Sequence, residues 1–223
     1  MSQQDVKNEI LARIKAGKPA AQPLPDVSMY PYNGDPLEDY IKRLIAFDGR
    51  AVKFKNRADA LDWLSKQPEM EASKNVIYSS APDVEGNFTE ADLSDLREAA
   101  KIQTCVTEGE MAVGETGSMW VTDKSLGHAV CGLLCRRLFV FIDSKKIIGG
   151  LHEAYGKLNL KDIQYGSYFS GPSATADIEA VRITGAQGPL AFTALIYNCA
   201  DAPEKPELLT NPNADSSIWE KDM

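Results

Sequence analysis

Residues 35–55 read Asp-Pro-Leu-Glu-Asp-Tyr-Ile-Lys-Arg-Leu-Ile-Ala-Phe-Asp-Gly-Arg-Ala-Val-Lys-Phe-Lys, a helix and a strand written one after the other. Asp35 is a helix cap, and Pro36 suits the first turn because its missing N–H is one the helix leaves unpaired. The helix runs to about Phe47, and Arg50 to Lys55 reads as a strand. The unit then repeats. Asn56 caps a helix over Arg57 to Lys66, Val76 to Ser79 is a short strand, Leu93 to Ala100 is helical and Ile102 to Val106 is a strand. Further on, Met119 to Thr122, Leu138 to Ile142 and Leu190 to Tyr197 are strands, with a helix over about Ile148 to Leu158. Helices alternating with short apolar strands predict an α/β three-layer sandwich around a mostly parallel sheet.

Proline marks the ends of this domain. Pro19, Pro23, Pro25, Pro31 and Pro36 crowd the start, and Pro203, Pro206 and Pro212 the end. The predicted division is a helical arm and Pro-rich linker over 1–33, the α/β domain over 34–200 and a tail over 201–223. In the arm Val6, Ile10, Leu11 and Ile14 form an apolar stripe that ends at Gly17, and in the tail only Trp219 suggests packing.

The 223 residues carry 24 Lys plus Arg against 32 Asp plus Glu, a net charge of −8, which argues against nucleic acid as a partner. No apolar run approaches the roughly 18 residues of a membrane span, and the first residues lack a basic start followed by an apolar run, so a cytoplasmic location is expected. Signatures of ATP, dinucleotide and serine-hydrolase sites are missing, and no cofactor is indicated. Cys105, Cys131, Cys135 and Cys199 have no C-x-x-C spacing and are expected to be reduced. If Ser125 to Cys135 is helical, His128, Cys131 and Cys135 share a face, but a buried apolar stripe explains them better than a metal. His152-Glu153 lacks the second histidine of a zinc-protease helix, since Gly156 stands in its place.

Two segments carry candidate chemistry. Ser170-Gly-Pro-Ser-Ala-Thr-Ala-Asp-Ile-Glu179 packs a Gly-Pro turn, hydroxyls and two acids together, and Glu115-Thr116-Gly117-Ser118 precedes a strand. Ser170, Gly171, Ser173 and Thr175, with Thr116, Gly117 and Ser118, offer hydroxyl and backbone donors for a small anion. Glu115 and Asp177 are the catalytic candidates, and Glu179 shares a face with Asp177 if the segment is extended. The competing readings are a turn whose hydroxyls cap their own backbone, and a Glu115 that accepts N–H bonds near Gly117.

The 170–179 segment, followed by Gly188-Pro189, resembles the carboxy-terminal signature of the LutC/YkgG family of LUD-domain lactate-utilisation proteins. Glu115 to Ser118 looks like that family's central Glu-Thr-Gly-(Thr/Ser) strand entry, and the resemblance covers about Asp35 to Asn198. It implies a fold of the NagB/RpiA/CoA-transferase type and two motifs facing one cleft at the carboxyl ends of strands. The implied role is a non-redox component of a system that oxidises L-lactate to pyruvate beside iron–sulfur partner proteins. The alternative is a free-standing isomerase or acyl/CoA-transferase-like enzyme with Glu115 as base or nucleophile. Association of the chain with itself stays open. The sequence departs from the family at Gln187 and at Cys135-Arg136-Arg137, before the Leu138 strand, where relatives carry histidines. An imidazole at either position would have to come from His128 or His152.

Overall fold

The computed structural model describes residues 2–20, 22–72, 74–175, 183–185 and 188–213, in two compact units that divide between Pro31 and Tyr32. The first unit holds α1 (Gln3–Ala16), begun by a capping box in which Ser2 and Asp5 bond each other's backbone N–H. No residue of α1 is buried, so Val6, Ile10, Leu11 and Ile14 are exposed, and no regular element is found in residues 18–20 and 22–31.

The second unit starts with α2 (Pro36–Ala46), β1 (Arg50–Lys53) and α3 (Arg57–Ser65), as the helix–strand reading expects. Asp35 accepts bonds from the N–H groups of Leu37 and Glu38 at 2.9 and 3.0 Å, and Asn56 accepts one from Asp59 at 2.9 Å. Then follow β2 (Ile77–Ser79), β3 (Thr104–Glu108), β4 (Met111–Val113) and β5 (Ser118–Thr122). Next come α4 (Asp123–Leu126), α5 (Ala129–Leu134), β6 (Arg137–Asp143), β7 (Ile147–Ile148) and α6 (Leu151–Lys157). The last strands are β8 (Gly166–Phe169), β9 (Ala174–Thr175), β10 (Ile183–Thr184) and β11 (Ala191–Tyr197).

Five strands form one wholly parallel sheet in the order β1-β11-β6-β3-β2. Both faces are covered, which is why its strands read as unbroken apolar runs. Ala51, Ala194, Val140 and Leu138 face Tyr40 and Leu44 of α2, while Val52, Leu195, Phe139 and Phe141 face Ala60 and Leu64 of α3. Each fully buried Leu or Phe contributes about 1.5–3 kcal/mol of transfer free energy to that core.

A second sheet, ordered β7-β4-β5-β8, is mixed: β4 and β8 pair antiparallel to β5, and β7 runs parallel to β4. It is not evident in the helix–strand alternation, because β7 has two residues and β4 three. Two further expectations are corrected, and the condition set on residues 125–135 is not met. Residues 93–100 form no α-helix; Asp95 accepts from the Arg97 N–H and starts a 3-10 helix, Leu96–Lys101. The helix expected over 148–158 begins only at Leu151, because Ile148 belongs to β7 and the paired Gly149-Gly150 intervenes. Residues 125–135 break at Gly127, which has φ +70, so His128 caps α5 through Nδ1. The four cysteines are buried and unbridged, and Cys135 bonds through Sγ to the Gly132 carbonyl at 3.4 Å.

Residues after β11 also pack. Leu209 and Ala51 exchange backbone hydrogen bonds of 2.8 and 3.0 Å, and Asn211 donates to Asp48 at 2.9 Å, so the tail lies along β1. Trp219 lies outside the described residues. Among the described residues no helix is long and apolar enough to cross a membrane.

Candidate functional site

The turn between β4 and β5 places the first motif. Gly117 has φ +62 and packs on α2 so closely that a Cβ there would lie 2.6 Å from Arg43 Cβ and 2.7 Å from the Leu44 nitrogen. Only glycine meets both demands. The hydroxyls of Thr116 and Ser118 lie 2.5 Å apart and bond each other. The backbone N–H of Glu115 donates to the Gly149 carbonyl at 2.9 Å, extending the β4–β7 ladder, and its Oε2 accepts the Leu151 N–H at 2.7 Å. Gly150, the cap residue of α6, has no side chain of its own, so Glu115 supplies the missing acceptor. The ring of Tyr32 packs against Gly149 and Gly150. Its hydroxyl donates to Asp39 at 2.5 Å, and burial together with that carboxylate pushes its pKa up to about 12.

The second motif follows β8. Met119 pairs with Phe169, so Ser118 and Ser170, each one residue beyond that pair, lead both motifs to the same end of the β5–β8 ladder. Gly171 has φ +138 and sits where a Cβ would lie 2.8 Å from the Phe47 carbonyl oxygen. Both glycines therefore rest on the carboxyl-terminal half of α2 and its exit, which joins Thr116, Gly117, Ser118, Ser170 and Gly171 in one region. Pro172 is buried. The Ser173 N–H donates to the Pro189 carbonyl at 2.8 Å, and the Ser173 carbonyl accepts from Gly185 at 2.7 Å. Gly188-Pro189 thus closes on Ser173. Thr175 pairs with Ile183 in an exposed two-stranded ribbon, apart from the Glu115 turn in the chain's hydrogen bonding. Asp177, Glu179 and Gln187 lie outside the described residues.

The expected cleft at the carboxyl ends of strands does not describe this loop. Gly171 lies beside Gly49, just before β1, and Ser173 is tied to Pro189, just before β11. The loop therefore borders the amino end of the parallel sheet. The reason is topological: it leaves β8, a strand of the second sheet.

At the carboxyl end stands a group that motif reading missed. Arg57, the first residue of α3, donates from Nε to Asp83 at 2.7 Å and from Nη2 to Glu108 at 2.5 Å. Its guanidinium carbon lies 4.9 Å from the Phe141 ring centroid and 5.5 Å from that of Tyr197. Burial acts to lower the Arg57 pKa, but the two carboxylates outweigh it and hold the pKa above its usual value. The available signal was positional: Glu108 and Tyr197 are the last residues of β3 and β11, and Phe141 pairs with Glu108 from β6.

A family model described as LUD domain matches residues 8–197. The fold is similar to the crystal structure of a DUF162 family protein from Deinococcus radiodurans, with a TM-score of 0.53 at 12% identity, covering 73% of this chain and 96% of that one. At that identity the likeness bears on the fold alone. No curated protein matches the chain.

Proposed function

The chain belongs to the LUD-domain family, and on that premise we propose that it is a LutC-like, non-redox component of a lactate-utilisation system, acting beside iron–sulfur partner proteins in L-lactate oxidation. The observation that carries the reading is the extent of the family match, which runs from α1 to the end of β11. The local geometry supports it. Glu115 is engaged as the cap of α6, a structural task, whereas an isomerase or acyl-transferase reading asks that carboxylate to meet a substrate. The exposed apolar residues of α1 suit a surface that a partner covers.

The reading is tested in the cell and in solution. A strain lacking the chain should fail to grow on L-lactate while growing normally on pyruvate, and the chain should co-elute with iron–sulfur subunits of the same system. Unimpaired growth on L-lactate would overturn the proposal.

A further inference from the structure

The second sheet has one apolar face, and a short helix covers only part of it. Met111 pairs with Trp120 across β4 and β5, and Trp120 with Tyr168 across β5 and β8, so the three side chains form a row on one face. Val113 and Ile148 belong to the same apolar cluster, and Ala154 of α6 is buried against it. α6 has seven residues and ends at Lys157. β7 runs parallel to β4 with Ile147 opposite Ala112, so Lys146 comes alongside Met111. The end of the helix and the start of β7 meet over the Met111–Trp120 pair.

A cavity of about 320 Å³ opens there. At roughly 30 Å³ per water it has room for about ten heavy atoms. Met111, Trp120, Ile148 and Leu158 give it an apolar wall. Trp120 is held in place: the Tyr168 ring centroid lies 4.9 Å from its own, and a Cβ on Gly166 would lie 2.5 Å from Trp120 Cζ2 and Cη2. The charged part of the lining is Lys145, Lys146 and Lys157 against Glu110. Lys157 is answered by Glu153 at 2.6 Å, and the Glu110 carboxylate accepts the Thr122 hydroxyl. Lys145 and Lys146 are exposed, and no carboxylate among the described residues pairs with either ammonium. Asp143, two residues before Lys145, accepts from the Lys145 N–H at 2.9 Å and from the Asn198 amide at 2.8 Å, and it does not line the cavity. With Glu110 and Glu153 set against the three lysines, one positive charge remains, in a chain whose net charge is −8.

We propose that this cavity binds a small aromatic monoanion, its ring against Trp120 and Leu158 and its charge met by Lys145 and Lys146. The ring extends the Trp120–Tyr168 aromatic pair and takes the apolar wall out of water. A single negative charge balances the excess. The wall is already formed, so binding asks only that two flexible lysine side chains settle on the anion. The site lies on the second sheet and is independent of the role proposed above.

Isothermal titration of the full chain with phenylacetate, 2-phenylethanol and acetate tests it. Phenylacetate should bind saturably. The alcohol, which keeps the ring without the charge, and acetate, which keeps the charge without the ring, should each bind at least about tenfold more weakly. Replacing both lysines, Lys145→Gln with Lys146→Gln, should bring phenylacetate down to the level of 2-phenylethanol; both are exposed, so the fold should survive, as an unchanged melting temperature would show. Leu158→Ala should weaken phenylacetate several-fold. No saturable binding of phenylacetate, equal affinity for the alcohol or for acetate, or unchanged affinity in the double lysine variant would overturn the proposal.

Discussion

Two arginines mark the two ends of the parallel sheet, and their surroundings are opposite. At the carboxyl end Arg57 has a carboxylate on each of two nitrogens and aromatic rings of Phe141 and Tyr197 nearby. At the amino end Arg137 is more deeply buried, yet its guanidinium has no acceptor among the described residues and borders a cavity. A saturated cluster of this kind holds a fold together, whereas a lone buried charge does not. In α/β proteins the carboxyl end is the usual place for a ligand; here that end carries the paired Arg57 cluster, and the 170–175 loop borders the other.

The contrast can be broken by substitution. The largest effect is expected at the amino end: Gly171→Val places a branched side chain at φ +138 against the Phe47 carbonyl and should cost about 3 kcal/mol in chemical denaturation. Arg57→Met should come next, at about 2 kcal/mol, because it leaves Asp83 and Glu108 without their shared cation, while Arg137→Met should be nearly neutral since it removes a buried charge. A larger loss for Arg137→Met than for Arg57→Met would reverse the comparison. Glu115→Ala should cost about 1 kcal/mol by removing the cap of α6, and hydrogen exchange should quicken at the Leu151 amide.

The smallest effect is a pH dependence near the carboxyl end. Burial pushes the Cys199 pKa up to about 11, so the folded thiol stays protonated at pH values where the unfolded one has begun to ionise. Stability is fully present below the unfolded pKa of about 8.5 and declines as pH rises towards about 11. At pH 9 the loss should be roughly 0.8 kcal/mol, and Cys199→Ala should flatten that part of the thermal-stability profile.

The parallel layer was legible because its signals are local. Asp35, Pro36 and Asn56 announce helix starts, and Leu138 to Ile142 and Leu190 to Tyr197 are apolar throughout because both faces are covered. The second sheet was not, since β4 and β7 span three residues and two and gain their meaning only from partners distant in sequence. Of the candidate site, the glycines were readable as special positions, but the task of Glu115 was not. That task depends on Gly150, thirty-five positions later, lacking a side chain with which to cap its own helix. Arg57 and Arg137 escaped notice for the same reason: residue type gives a charge, and only the fold determines whether it is answered.

The pairing of Leu209 with Ala51 has a consequence for how the protein behaves in company. β1 is the outermost strand on its side of the sheet, and an uncovered strand of that kind is a template on which other chains can assemble. By lying along it, the last described residues act as a guard against aggregation, so a chain truncated before Leu209 should fold and yet accumulate as oligomers as its concentration rises.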